Sequence, residues 1–90
     1  MLYSVEFQPS ARKDLETLPR SIQTRIGRAI ADLCDELHAR GSKKLSGEHE
    51  IWRIRVGDHR VLYKIEKERL VIFVVKVGHR RDVYRWLRSL

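Results

Sequence analysis

Residues 50 to 66 hold two runs of alternating character separated by Gly57 and Asp58, and this pattern constrains the fold more tightly than any other stretch of the chain. A two-residue loop with glycine first suits a type II′ turn, whose first central residue takes a positive φ that only glycine adopts without strain. The turn sets the pairing: Val56 faces His59, Arg55 faces Arg60, Arg53 faces Leu62 and Trp52 faces Tyr63. Side chains alternate along strands, so Trp52, Ile54, Val56, Val61, Tyr63 and Ile65 share one face, while Arg53, Arg55, Arg60 and Lys64 share the other. The first set is fit to pack on helices. In the second, like charges directly opposite each other cost the sheet up to ~1 kcal/mol, and an anion held between them reverses the sign. The competing reading is that these long side chains splay apart and snorkel into water.

The distribution of charge favours the anion. The chain has 19 Lys and Arg against 12 Asp and Glu, a net of +7. Residues 1 to 50 hold eight basic and eight acidic side chains, whereas residues 51 to 90 hold eleven and four. All the excess therefore belongs to the C-terminal 40 residues. A solubility device would be spread evenly; a concentrated one reads as a face for a polyanion.

At 90 residues the chain is expected to make one domain over 1–90 with a modest core. Leu2 to Phe7 alternates as a strand with Tyr3, Val5 and Phe7 buried. Pro9 and Ser10 open a short helix carrying Ala11, Leu15 and Leu18, which Pro19 ends. A longer helix over residues 20 to 39 has the apolar stripe Ile22, Ile26, Ala29, Ile30, Leu33, Cys34 and Leu37, with Gly41 as its stop. Its outward side mixes signs, as in Arg25, Arg28, Asp32, Asp35 and Glu36, and reads as solvated surface. Residues 42 to 49 lack periodicity and read as a loop, before strands at about 50–56, 59–66 and 69–77. Val83, Trp86, Leu87 and Leu90 fall at helical spacing and close the chain. The expected fold class is α+β, in the order β-α-α-β-β-β-α. A small antiparallel-rich twisted sheet carries the helical hairpin on one face, followed by a C-terminal helix.

The last strand delivers Lys76, then Gly78, His79, Arg80 and Arg81 at the start of that helix, with Tyr84 four residues beyond Arg80. A glycine turn entering a helix is expected to point backbone amides at a phosphate. His79 is the best candidate acid or base, because imidazole titrates near neutrality and arginine does not give up its proton. His38, His49 and His59 lack ligand spacing or acidic companions, so no metal site and no cofactor are expected. Cys34, the lone cysteine, sits in the apolar stripe and reads as a buried thiol. A leader-like N-terminus is missing and the longest apolar run, Leu70 to Val75, is too short for a bilayer, so a cytoplasmic protein without membrane association is expected.

The run Trp52 to Arg60, the apolar strand ending at Val77, and Gly78, His79, Arg80, Arg81, Asp82, Val83, Tyr84 and Arg85 resemble the RelE/ParE toxin superfamily, and its RelE branch more closely. Tyr3 to Phe7 followed by Ala11 and Leu15 resembles the family start, so the likeness covers nearly the whole chain. The resemblance implies a toxin that cleaves messenger RNA on the ribosome and is neutralised by an antitoxin, with operator DNA bound only through that antitoxin. It implies that Arg60 stabilises the transition state, that Arg80 is a second essential arginine, and that Tyr84 stacks on or orients the RNA. Arg53 and Arg55 stand where other members place lysines, a departure from the pattern. With Lys76 and Arg81 they make up the expected phosphate-binding set. Two further readings share the scaffold: a ParE-like inhibitor of DNA gyrase, and a non-catalytic module that binds antitoxin. Trp86 and Leu90 are candidate antitoxin contacts, against a plain role in packing the last helix.

Overall fold

The computed structural model describes residues 2–37, 41–46 and 49–90, of which Ser46 is described in its backbone only. The elements run β1 (Ser4–Phe7), α1 (Pro9–Glu16), α2 (Arg20–Asp35), β2 (Lys43–Ser46), β3 (Ile51–Val56), β4 (His59–Glu66), β5 (Val71–His79) and α3 (Arg80–Arg88). The five strands form one sheet in the order β1-β5-β4-β3-β2. β1 joins β5 in parallel, and all other neighbours are antiparallel. The expected α+β class and order hold, with one strand added.

That strand is β2, in the stretch read as a loop. Four residues, Lys43 to Ser46, pair with β3 at the edge of the sheet. A short edge strand rich in lysine blunts the row of free backbone groups that an edge exposes, and it carries no alternation by which a sequence would reveal it.

The β3–β4 hairpin has the expected register at every position, Trp52 with Tyr63 through Val56 with His59. Gly57 has φ of 61° while Asp58 is not among the positive-φ residues, as a type II′ turn requires. β4 and β5 pair from His59 with His79 to Glu66 with Val71, and the register shifts by one residue between Leu62 and Tyr63. Their connection ends on Leu70, which has a φ of 53°, a left-handed conformation unfavourable for leucine.

Two apolar layers sandwich the sheet. On one side Ala11, Ile26, Ile30, Leu33 and Cys34 of the helical pair pack on Ile54, Val56, Val61, Tyr63, Ile72, Val74 and Val77. On the other side Val83, backed by Trp86 and Leu87 of α3, covers Ile51 and Leu62. The side of the hairpin that bears the arginines is thus partly a second core rather than a wholly solvated surface.

The helices depart from expectation at one end. α2 stops at Asp35, and Glu36 is extended. Its last turn has no basic residue, and Asp35 with Glu36 places negative charge against the negative end of the helix dipole. The carbonyl of Cys34 is taken instead by the amide of Tyr3 at 3.1 Å, which ties the start of the chain to the end of α2. The proposed extension through His38 and Ala39 lies outside the described residues. Cys34 is buried, and burial pushes its thiol up. Tyr3, just before β1, and Phe7 at its end turn inward, but Val5 is 38% exposed because an edge strand is covered on fewer sides.

Candidate functional site

The site is assembled where β5 runs into α3. Arg55 faces Arg60 across β3 and β4, and Arg60 faces Gly78 across β4 and β5. Two residues beyond Gly78, the amide of Arg80 donates to the carbonyl of Asp58 at 2.8 Å. The hairpin turn and the helix start are therefore stitched together, and residues 60 and 80 come to one end of the sheet.

Arg60 is only 7% exposed. Its Nη1 donates to the carbonyls of Gly57 at 3.0 Å and His59 at 2.9 Å, while its Nε has no partner. A buried guanidinium with an idle donor is costly unless something accepts from it. A phosphate oxygen is the acceptor that a planar fork of donors fits best.

His79 caps α3. Its Nδ1 accepts from the amide of Arg81 at 3.2 Å, so the neutral ring carries its proton on Nε2. Held this way, the neutral ring presents Nε2–H as a donor. The ring meets that of His59 edge to face, with centroids 6.0 Å apart. The two are a cross-strand pair, and His59 is a member of the site that sequence reasoning passed over, because the register of β5 was not fixed by any turn residue.

The expectation that free backbone amides at the helix start would hold a phosphate is corrected by these bonds. The amides of Arg80 and Arg81 are occupied by Asp58 and His79. Asp82 further places an acid in the first turn. Anion binding here falls to side chains.

Arg80 and Arg81 are exposed and Tyr84 is half-buried. With Arg85 and Arg88 they line an open depression of about 360 Å³. Arg55 is exposed at the hairpin end. Two other members of the expected phosphate-binding set have protein partners. Arg53 is 8% exposed, and its Nη1 donates to the carbonyl of Gly41 at 3.1 Å, because the α3 layer and β2 close over its side of the sheet. Lys76 reaches Asp14 of α1 at 2.8 Å, since the register shift in β5 sits beside it. Arg25, read from the sequence as solvated surface, is exposed, and it also lies over the turn: its Nη1 is 3.4 Å from where a Cβ on Gly57 would be. No sequence signal reveals that contact, which depends on how α2 crosses the sheet.

What this arrangement can do is limited by its donors. It offers cations and N–H groups to a bound phosphate, and a phenol ring beside it, but no carboxylate is aimed at Arg60 among the bonds of the described residues.

Comparison with known proteins agrees with the fold. The family model for the ParE toxin of type II toxin–antitoxin systems, parDE, matches residues 5–84. Toxin RelG of Mycobacterium tuberculosis is 35% identical over 89 residues, covering 94% of this chain and 99% of that protein. The RelBE2 toxin–antitoxin complex of the same organism superposes with a TM-score of 0.75 at 34% identity, covering 89% of this chain and all of the matched one, 100%. The archaeal RelE–RelB complex from Pyrococcus horikoshii OT3 gives a TM-score of 0.77 at 29% identity, over 89% of this chain and 97% of that one. The chain accordingly belongs to the RelE/ParE superfamily of type II toxin–antitoxin toxins, and within it to the RelE branch.

Proposed function

We propose that this toxin is an endoribonuclease that cuts messenger RNA on the ribosome and so arrests translation. The observation that supports the reading is the β4–β5 register, which pairs Arg60 with Gly78 and His59 with His79, together with the bond from the Arg80 amide to the Asp58 carbonyl. The 2′-oxygen of the nucleotide attacks the adjacent phosphorus, the bond to the departing 5′-oxygen breaks, and a 2′,3′-cyclic phosphate remains. Water or a group of the ribosome takes the proton of the 2′-hydroxyl, and a water molecule supplies the proton that reaches the 5′-oxygen.

Arg60 and Arg80 stabilise the charge that builds on the phosphorane, supplying in place of a metal the positive field that the reaction needs. His79 presents Nε2–H towards the leaving side, and Tyr84 orients a base by stacking. Arg55 and Arg81 hold flanking phosphates. Much of the acceleration comes from positioning, with the ribosome supplying the rest of the frame.

The partner is an antitoxin, as in the RelBE2 and RelE–RelB complexes that the chain resembles. An acidic or amphipathic antitoxin segment would cover the basic end or lie along α3, where Leu90 is 57% exposed and Trp86 is packed on the second core.

The test is a translation reaction with purified ribosomes and primer extension on the message. Cleavage that requires ribosomes, and falls in each of Arg60→Ala, Arg80→Ala and Tyr84→Ala while all three stay folded, supports the reading; full cleavage by the triple variant overturns it. One observation favours a second reading, inhibition of DNA gyrase: the matching family model is that of ParE toxins. A supercoiling assay separates the two.

A further inference from the structure

The outer side of α3 has a composition that the cleavage site does not account for. Arg80, Arg81, Arg85 and Arg88 line one open depression with Tyr84 among them. Val83, Trp86 and Leu87 take the inner side against the second core. Among the described residues the carboxylate nearest this arginine face is Asp82, 4.0 Å from Arg85, with both side chains largely exposed. That contrasts with α2, whose solvated side interleaves Arg25 and Arg28 with Asp32 and Asp35.

Such a face works against the helix that carries it. Arg81 and Arg85 are four apart and Arg85 and Arg88 three apart, spacings at which like charges repel. Arg80 and Arg81 also sit at the positive end of the helix dipole. Both penalties vanish when a polyanion lies along the helix.

We propose that Arg81, Arg85 and Arg88 form a phosphate-binding track that grips the RNA backbone as it leaves the cleavage end. The inference rests on the nuclease reading and extends it to Arg85 and Arg88, which have no role in the cut itself. The spacing fits. At about 1.5 Å rise per residue, Arg81 and Arg88 lie roughly 10 Å apart along the axis. A stacked strand advances ~3.4 Å along its own axis per nucleotide, and its backbone winds as it does so, so a track of this length faces more than one phosphate. Each guanidinium presents a fork of donors suited to two phosphate oxygens. Tyr84, between Arg80 and Arg88 on the same side, supplies a ring on which a base stacks as the strand enters the track.

The experiment measures binding apart from cutting. A short fluorescein-labelled single-stranded RNA with every 2′-hydroxyl methylated is titrated with the full chain by anisotropy at several salt concentrations. Arg85→Gln/Arg88→Gln is expected to lower the slope of log K against log salt by about 1.4, two phosphates at roughly 0.7 each. Arg85→Lys/Arg88→Lys is expected to keep most of that slope, because charge is retained. Thermal unfolding of both variants verifies that α3 is still packed. An unchanged slope in the folded glutamine variant overturns the track, and so does an unchanged slope accompanied by lost binding of an acidic peptide, which would assign the face to a protein. Because the RNA cannot be cut, a wild-type chain that binds with the full slope yet never cleaves natural message would sink the nuclease reading alone and leave the track standing.

Discussion

Arg60 stands opposite Gly78, so the most buried arginine of the candidate site faces the one position on the approach to α3 that has no side chain. A Cβ at Gly78 would lie 3.6 Å from Cγ2 of Val83, an ordinary contact, and the backbone there is not left-handed. Gly78→Ala should therefore fold with stability within about 0.5 kcal/mol of wild type. Gly78→Leu pushes its branches against Val83 beyond that ordinary contact and should cost about 2 kcal/mol by overpacking, with cleavage reduced in parallel. A melting curve and a cleavage assay on each variant make the comparison; a fully active, fully stable leucine variant would show that the gap is not used.

Arg60 should be hard to replace even by lysine. Its fork bridges the carbonyls of Gly57 and His59 from a buried position, whereas an ammonium is a compact point charge that cannot reproduce that planar geometry. Arg60→Lys is expected to lose on the order of 100-fold in single-turnover cleavage, the scale of one lost transition-state donor. Retention of more than a tenth of the rate would reduce Arg60 to a generic charge.

Lys76 and Arg53 test the division between binding and structure. The Lys76–Asp14 pair is half-buried, so Lys76→Gln should cost roughly 1 kcal/mol in urea unfolding. Its RNA affinity should keep the wild-type salt slope, because the ammonium already serves a carboxylate. A slope reduced by ~0.7 would return Lys76 to the phosphate-binding set.

Burial pushes the Tyr63 phenol up to about 12, with the Ser42 hydroxyl opposing in smaller part. Its hydroxyl makes no hydrogen bond of ordinary geometry. A phenol raised from 10 when folded binds its proton more tightly in the native state. Its contribution is therefore complete below pH about 10 and is lost as pH climbs towards 12, on the order of 2 to 3 kcal/mol. Ultraviolet titration should find one tyrosine ionising only near pH 12 or with unfolding. Three phenolates appearing together near 10 would contradict the packing.

Leu70 holds a left-handed conformation while 41% exposed. Leu70→Gly removes the backbone strain at the expense of a half-covered side chain and should raise stability by about 0.5 kcal/mol. Its carbonyl accepts from the amide of Ser4, so a drop in the melting temperature would mean that the leucine side chain itself anchors β1.

These residues also mark the boundary of what the chain discloses before folding. The hairpin register is legible because Gly57 and a strict period of two act over a few residues, and that local information aligned Arg55 with Arg60 correctly. The pairing of His59 with His79 was not legible, since the connection before β5 ends on a leucine that advertises no turn. The partners of Arg53 and Lys76 were not legible either, because Gly41 and Asp14 are 12 and 62 residues distant. Charge in a sequence counts cations; only tertiary contact tells which of them are already spoken for.

The parallel seam between β1 and β5 binds residues 4 to 7 to residues 71 to 74, with β4 on the far side of β5. A chain emerging from the translation machinery thus cannot close its sheet until residues 71 to 74 have been released. The N-terminal strand waits for a neighbour made some 67 residues later, and Arg80 takes its place only after that seam can form.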